Sequence, residues 1–142
     1  MPSTDAAELW KLNHRLLTRV LHAATPELER LGLGTKEFFV LDEIDTSHYP
    51  AELAQRLMLP KASVTQYLRT LVDAGLVRRE IDDADLRRHR LAVTERGRAV
   101  LRTALDALAA EFARMTERID GQDRAALRRI LLALLDADTP GH

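Results

Sequence analysis

The chain contains no cysteine, which excludes disulfide bonds, thiolate metal sites and cysteine-based peroxide sensing. Histidine is present, but no two histidines form a close pair at the spacing that holds a metal on a helix. The five histidines are His14, His22, His48, His89 and His142. Surface or core positions explain them better than metal binding does, so we expect neither a metal nor another cofactor.

Aromatic residues and long apolar runs are also scarce. Aromatic residues make up 4% of the 142 residues and hydrophobic residues 46%, a balance that favours packed aliphatic helices over a β-sandwich. No segment approaches the roughly 18 consecutive apolar residues of a membrane helix, and the N-terminus lacks the pattern of a signal peptide. We therefore expect a mostly helical, cytoplasmic protein with no membrane partner.

The net charge of −1 is unevenly distributed along the chain. Residues 50–98 contain ten lysines and arginines against seven aspartates and glutamates, so this segment carries +3 and the remainder −4. A basic middle between acidic ends is typical of a protein whose middle faces phosphate groups. Because an excess of three charges is modest, it indicates nucleic-acid binding only together with the motifs that follow.

Two helices are predicted on either side of Pro60. The first runs from Pro50 to Met58, since proline at the first helical position is a start signal. The second ends at Ala74-Gly75, because glycine adopts the left-handed conformation that ends a helix. The first helix presents Leu53, Ala54 and Leu57 as its apolar positions, and the second presents Val64, Tyr67, Leu68, Leu71 and Val72.

The opposite face of the second helix is polar. It consists of Lys61, Ser63, Thr65, Gln66 and Arg69. Hydroxyl, amide and cationic groups of this kind reach phosphates and base edges in a DNA major groove.

A charged hairpin is predicted after the second helix. One strand runs from Leu76-Val77 to Ile81 and another from about Arg88 to Val93, with polar residues 82–87 between them. Thr94 is placed to cap the helix that follows. Helix, turn, helix and hairpin together give the outline of a winged helix-turn-helix, in which residues 82–87 form the wing tip.

The N-terminal part is predicted to be helical with an interruption near Pro26. A helix capped by Thr4 or Asp5 carries an apolar stripe, and Pro26 is expected to interrupt or kink it before a short segment from Glu27 to Leu31. The next helix is expected to start with Thr35 as its cap and to end near residue 45. The stripe comprises Leu9, Leu12, Leu16, Leu17, Val20 and Leu21, and Phe38 or Phe39 is expected in the core.

Residues 99–142 carry more apolar surface than one small domain needs. From Leu101 to Ile119, apolar residues recur at alternating spacings of four and three, which is a heptad pattern. A final helix is predicted from about Asp123 to Leu135. A second copy of the chain would cover this surface.

The order and spacing of these features resemble the multiple antibiotic resistance regulator (MarR) family of bacterial transcription factors. The resemblance covers nearly the whole chain, although none of its passages is specific alone. These passages are Leu53-Ala54, the segment from Leu71 to Arg79, Asp85-x-Arg87, and Val93-Thr94-x-x-Gly97. Two wing positions depart from the family pattern, which usually has a proline after the first wing aspartate and an arginine pair after the second. Asp83 and Leu86 stand there instead, which lowers the positive charge of the wing tip.

The resemblance implies a mainly α protein with a small β-hairpin wing. A winged helix-turn-helix DNA-binding lobe, 35–98, would lie between an N-terminal dimerisation helix, 1–34, and C-terminal dimerisation helices, 99–142. Two reading helices would meet half-sites about 10 bp apart on a pseudo-palindromic operator. Dimer contacts are expected from Leu9, Leu12, Leu16, Leu108, Phe112, Met115, Ile119, Leu127, Ile130, Leu131 and Leu134.

The expected function is that of a homodimeric, sequence-specific DNA-binding regulator, more often a repressor than an activator. Thr65, Gln66 and Arg69 are assigned to base edges or nearby phosphates, and Lys61 and Ser63 to the DNA backbone. Arg56 is expected to contact a phosphate. In the wing, Arg87 is assigned to the minor groove, with Arg88 beside it and with Asp85 either orienting Arg87 or bracing the wing. The alternative for each residue is a solvated position on an amphipathic element.

The resemblance also implies a small aromatic or anionic ligand that releases the DNA. Trp10, His14, Arg15, Phe38 and Phe112 are the candidate ligand-binding residues. The alternative for this site is that Trp10 packs in the dimer and that His14 is simply exposed. The alternative function is a winged helix that binds DNA non-specifically or contacts proteins, without a ligand. An enzyme is not expected, because no nucleophile elbow, phosphate loop or dinucleotide fingerprint is present.

Overall fold

The computed structural model describes residues 4–136. The elements are α1 (Thr4–Arg30), α2 (Thr35–Glu43), α3 (Pro50–Leu57), α4 (Lys61–Asp73), β1 (Val77–Ile81), β2 (His89–Val93), α5 (Glu95–Thr116) and α6 (Gly121–Asp136). This confirms the mainly α fold with a β-hairpin wing. No helix among the described residues combines the length and the hydropathy needed to cross a membrane.

Helix α1 is continuous, so the predicted interruption at Pro26 is wrong, while the predicted kink stays a prediction. Proline costs a helix one hydrogen bond, but Ala24 and Leu28, one turn apart on the same face, are both buried. Burial of this face stabilises the helix across the proline. The segment from Glu27 onward is therefore the last turn of α1, which ends at Arg30.

Helix α2 begins one residue earlier than predicted. Gly34 occupies the N-cap position in an extended conformation, and Thr35 is already helical. Thr35 is therefore not the cap, because a capping side chain must come from a residue with non-helical backbone angles. The carbonyl of Gly34 accepts the amide of Phe38 at 3.0 Å, and the Phe38 ring is buried as expected.

The chain divides into two compact units, Met1–Leu108 and Ala109–His142. The core of the first unit gathers apolar residues from α2, α3, α4 and the hairpin. Leu28 of α1 and Ala104 of α5 belong to the same core. The core therefore extends beyond residues 35–98 in both directions along the chain.

Helices α3 and α4 form the predicted helix-turn-helix. Helix α3 ends at Leu57, and its C-cap residue Met58 has a left-handed backbone. The amide of Leu59 donates to the carbonyl of Ala54 at 3.0 Å. Val64, Leu68 and Leu71 are the buried positions of α4. The helix ends before Gly75, whose φ of +77° is the conformation expected for it. Helix α4 is thus fixed by one apolar face and leaves the other open.

The wing is the antiparallel pair β1–β2, in a register that places Val77 opposite Val93 and Ile81 opposite His89. Val77, Leu91 and Val93 are buried and attach the base of the hairpin to the core. The amide of Leu91 also donates to the carbonyl of His48 at 2.7 Å. The connection between α2 and α3 therefore runs alongside β2, a pairing that the sequence did not predict.

Thr94 caps α5, as predicted. Its hydroxyl accepts the amide of Gly97 at 3.0 Å and donates to the carbonyl of Gly75 at 2.6 Å. One side chain therefore connects the start of α5 to the end of α4, and both ends of the wing meet at this point.

The second unit contains the end of α5 and all of α6. The guanidinium of Arg124 donates to the carbonyls of Thr116 and Ile119, at 3.1 and 2.6 Å, and closes the turn between the helices. A side-chain oxygen of Asp120 accepts the amide of Asp123 at 2.8 Å, which caps α6. In α6, from Gly121 to Asp136, no residue is buried.

Candidate nucleic-acid interface

The polar face of α4 lies at the surface. Lys61, Thr65, Gln66 and Arg69 are exposed, and Ser63 is half-buried. The Thr65 hydroxyl donates to the carbonyl of Lys61 at 2.9 Å, so its hydrogen is used within the helix and its oxygen is left as an acceptor. Four of the five predicted side chains are thus accessible to a DNA groove, while the Ser63 side chain is only partly accessible.

Arg56 has a carboxylate partner that sequence reasoning missed. Its side chain forms an ion pair with Glu43 of α2 and remains more than half exposed. An exposed pair of this kind contributes little to stability. A phosphate would have to compete with Glu43 for this guanidinium.

The wing tip presents one strongly exposed cation, with 93% of the Arg87 side chain accessible. Asp85 accepts both the backbone amide of Arg87, at 3.0 Å, and its side-chain Nε, at 3.3 Å. Asp85 and Arg87 are therefore in direct contact, and the orienting role of Asp85 stays a prediction. Leu86, between them in sequence, is 75% exposed.

The base of the wing contains a cluster around Tyr49 that the sequence did not reveal. The guanidinium of Arg88 lies 3.7 Å from the centroid of the Tyr49 ring, and the Tyr49 hydroxyl donates to Asp82. This hydrogen bond raises the pKa of Tyr49, with smaller raising effects from burial and the charge of Asp82, and it lowers the pKa of Asp82. The one signal in the sequence was an aromatic residue directly before Pro50 in a chain with few aromatics.

An open cleft separates the first turn of α3, helix α4 and the wing. Among its lining residues are Tyr49, Pro50, Thr65, Arg79 and Arg88. Two predicted DNA-binding residues, Thr65 and Arg88, therefore face the same cleft. Helix α4 and the base of the wing meet there on one surface of the first unit.

The predicted ligand-binding residues fall in three places. Trp10 and His14 stack on α1 with ring centroids 5.4 Å apart, and Arg15 lines the same shallow groove. Phe38 is 3% exposed and packs edge-on against Phe39. It is a core residue rather than a residue of an open site, because its ring fills the interior of the first unit. Phe112 lines a groove of the second unit.

The predicted dimer residues keep substantial apolar surface. Leu9, Leu12, Leu16, Ile130, Leu131 and Leu134 are exposed, and Leu108, Phe112, Met115, Ile119 and Leu127 are half-buried. Within residues 4–136, no group of three or more His, Asp or Glu side chains is placed to hold a metal ion.

Known proteins were compared with the chain at the levels of sequence and structure. Residues 31–88 match the model of the MarR family. Among curated protein sequences, none is significantly similar to this chain.

Solved structures of similar fold extend the match. A MarR-family transcriptional regulator from Silicibacter pomeroyi is 25% identical, with a TM-score of 0.75 over 99% of this chain and 95% of its own. A MarR-family protein of Mycobacterium tuberculosis, in complex with p-aminosalicylic acid, is 28% identical, with a TM-score of 0.73 over 89% and 97% of the two chains. The same protein in complex with DNA is 27% identical, with a TM-score of 0.73 over 89% and 96%. With a family model that matches most of the winged helix and structural matches over nearly its whole length, the chain is similar to the MarR family of transcriptional regulators.

Proposed function

We propose that the protein is a homodimeric repressor that binds a pseudo-palindromic operator in cytoplasmic DNA. The observation that carries this proposal is the exposed polar face of α4, whose other face is anchored by Val64, Leu68 and Leu71. A rigid helix with exposed hydroxyl, amide and cationic groups suits a major groove. The DNA complex of the Mycobacterium tuberculosis relative supports this use of the fold.

The wing supplies a second contact in this proposal. Arg87 is almost fully exposed and is held through its backbone and side chain by Asp85. An arginine presented on a hairpin next to a reading helix suits the minor groove beside the major-groove site. Lys61 and Arg56 would approach the phosphates. Arg56 would either break its ion pair with Glu43 or contact Glu43 and a phosphate together.

A dimer accounts for the apolar surface of the helices outside the winged lobe. Leu9, Leu12 and Leu16 of α1 and Leu134 of α6 are exposed in the single chain. A two-fold pair covers such surface with the same residues on both subunits. It also presents two copies of α4 to half-sites about one helical turn, roughly 10 bp, apart.

We further propose that a small aromatic or anionic compound releases the DNA. The support on this chain is the stacked pair Trp10–His14 with Arg15 beside it, which offers an aromatic surface and a cation to such a compound. The p-aminosalicylic acid complex of the relative shows a compound of this class on a similar fold.

DNA binding is tested by fluorescence-anisotropy titration of the protein with duplexes flanking its own gene, at physiological salt and with random duplex as competitor. Nanomolar binding that survives the competitor is expected. Arg69→Ala should weaken it by about 1–3 kcal/mol if Arg69 contacts a base edge. Arg102→Ala on α5 is the matched control, since it removes the same charge from a helix outside the interface.

The alternative role, non-specific binding or protein contact, gives a different result in this assay. Binding no tighter to any flanking duplex than to random DNA, with Arg69→Ala and Arg102→Ala equally affected, would contradict a specific regulator. Phosphate contacts release counterions, so DNA affinity must fall as the salt concentration rises. An affinity that did not fall would contradict DNA as the partner of this surface.

The ligand proposal has a built-in probe, because Trp10 is the only tryptophan of the chain. Phenolic acids titrated into the protein should change Trp10 fluorescence and lower DNA affinity over the same concentration range. Arg15→Ala should weaken both effects together. A panel that changes neither the fluorescence, the melting temperature nor DNA binding would contradict this proposal.

A further inference from the structure

We propose that Tyr49 is a positioning residue that sets the angle at which the wing presents Arg87 to DNA. The inference rests on the proposed function, because it concerns how the wing reaches the operator. Tyr49 itself precedes α3 and lies outside both the reading helix and the wing tip.

Tyr49 holds both strands of the wing at the level where the hairpin leaves the core. Its hydroxyl donates to Asp82, the residue after β1, and its ring lies under the guanidinium of Arg88, the residue before β2. A hydrogen bond to a carboxylate and a cation–π contact are both directional. The two contacts together therefore restrict the tilt of the hairpin rather than only its distance from α3.

The same two wing residues close the loop at the tip. The amide of Asp82 donates to the carbonyl of Arg88 at 3.1 Å, and the amide of Arg88 donates to the carbonyl of Asp85 at 3.0 Å. Asp85 in turn accepts the amide and Nε of Arg87. A continuous set of contacts thus leads from Tyr49 through Asp82 and Arg88 to the exposed arginine.

Little else fixes the outer part of the wing. Val77, Leu91 and Val93 anchor its base in the core, whereas Ile81 and Leu86 near the tip are exposed. A two-stranded hairpin is only marginally stable by itself. The contacts of Tyr49 lie at the boundary between the anchored and the exposed parts, where a small change in angle moves the tip most.

The connection that carries Tyr49 is itself fixed. The carbonyl of His48 accepts the amide of Leu91 from β2 at 2.7 Å, and Tyr49 is the N-cap residue of α3 with an extended backbone. The ring is therefore positioned from the helix-turn-helix side. This gives Tyr49 a defined place relative to α4, against which the wing angle is set.

The test uses an operator duplex selected from random DNA with the full-length wild-type protein. Affinity and its salt dependence are then measured for Tyr49→Phe, Arg87→Ala and the double variant. Tyr49→Phe keeps the ring under Arg88 and removes only the bond to Asp82. We expect it to weaken binding about 2- to 10-fold, the range of one hydrogen bond, with an unchanged melting temperature.

Two readouts separate positioning from a general structural role. In the Arg87→Ala background, Tyr49→Phe should cause no further loss, because the tip contact that it positions is already gone. The slope of log affinity against log salt should also become shallower in Tyr49→Phe, by up to about the one phosphate-type contact that Arg87→Ala removes.

Asp82→Asn and Asp83→Asn form a matched pair of controls. Each removes one negative charge from the wing, which by itself favours DNA binding, but only Asp82 accepts the Tyr49 hydroxyl, through a charged oxygen whose hydrogen bond a neutral amide oxygen would weaken. Asp83→Asn should therefore gain more affinity than Asp82→Asn. Equal gains would contradict the inference.

Other outcomes also decide the matter. Wild-type affinity in Tyr49→Phe, or a loss of the same size with and without Arg87, overturns the inference while leaving the proposed function intact. A loss that parallels a lowered melting temperature overturns it in favour of a structural role. If selection returns no preferred sequence, the proposed function fails and the inference with it.

Discussion

Gly97 lies where the start of α5 passes close to the strand connection before β1. A Cβ at this position would lie 2.1 Å from the carbonyl oxygen of Leu76 and 2.9 Å from a methyl carbon of Val93. The Leu76 carbonyl cannot move freely, because it accepts the amide of Thr94 at 3.0 Å. The glycine in Val93-Thr94-x-x-Gly97 is thus required by close backbone approach at the base of the wing.

Gly97→Ala should therefore destabilise the protein by about 1–3 kcal/mol, the cost of forcing atoms into a packed site. Urea unfolding followed by circular dichroism measures the change. Gly121→Ala is the matched control, since its Cβ would meet only the Arg124 guanidinium at an ordinary 3.8 Å. Similar unfolding midpoints for the two variants would show that the α5 start has room for a methyl group.

Asp42 makes the protein's stability depend on pH with a sign opposite to that of most carboxylates. Partial burial and the neighbouring charges of Glu43 and Asp45 raise its pKa. The folded state therefore holds the Asp42 proton more tightly than the unfolded state does. This binding contributes to the stability of the protein below the pKa of Asp42 in the unfolded state, and the contribution is lost as the pH rises through the pKa of Asp42 in the folded state.

Asp42→Asn should accordingly stabilise the protein at pH 7, by roughly 0.5 kcal/mol or less, because solvent screens a partly exposed charge. The gain should shrink as the pH approaches 4. Urea unfolding at both pH values measures it, with Asp106→Asn, an exposed carboxylate on α5, as the control. A variant less stable than the wild type at pH 7 would contradict the sign.

At the scale of elements, the sequence predicted those features of helices and caps that depend on apolar periodicity and on residues close together in the chain. The apolar face of α4, its end at Gly75 and the Thr94 cap all follow from patterns within a few residues. Tyr49 could not be recognised in this way, because its partners Asp82 and Arg88 lie more than thirty residues away. Their meeting depends on how β2 aligns with the connection before α3.

The errors at α1 and α2 have a similar cause. Proline and threonine carry local preferences, but the buried pair Ala24 and Leu28 decides that α1 continues through Pro26. The extended backbone of Gly34 then decides where α2 begins. Local propensity is overridden wherever tertiary burial contributes more free energy than a cap or a single helical hydrogen bond.

The wing offers a prediction at the same scale. Leu86 is exposed beside Arg87 and stands where the family usually has an arginine. Under the proposed function, Leu86→Arg should tighten DNA binding and steepen the salt dependence by about 0.9 in the log–log slope for each phosphate gained.

The same anisotropy titration, repeated at several salt concentrations, measures both effects. Leu86→Gln serves as the control, because it adds polarity at the tip without charge and should leave the slope unchanged. An unchanged slope in Leu86→Arg would mean that the wing tip does not approach the phosphates.

At the scale of the whole molecule, the apolar surface of α1 and α6 exceeds what the single chain buries. Leu134 is 64% exposed, and α6, from Gly121 to Asp136, has no buried residue. A helix of this length is only marginally stable in water without tertiary packing. The folding of α6 is therefore expected to depend on a second copy of the chain, and the heptad pattern in the sequence already indicated such a partner.

Under the proposed function, Leu134→Glu should convert the proposed dimer into monomers at micromolar concentration, because it would bury an unpaired charge in the interface. Light scattering measures the mass, and amide hydrogen exchange should show lost protection in α6. Gln122→Glu adds the same charge at the exposed first turn of α6 and should remain dimeric.

The consequence for DNA binding follows from the coupling of two half-sites. In a dimer, binding of one reading helix holds the second at high effective concentration near its half-site. The Leu134→Glu monomer should retain its winged lobe, since the residues of that core lie between Leu28 and Ala104, but bind the operator far more weakly than the Gln122→Glu dimer. Equal affinities for the two variants would mean that each lobe reads DNA alone and that the exposed leucines serve another purpose.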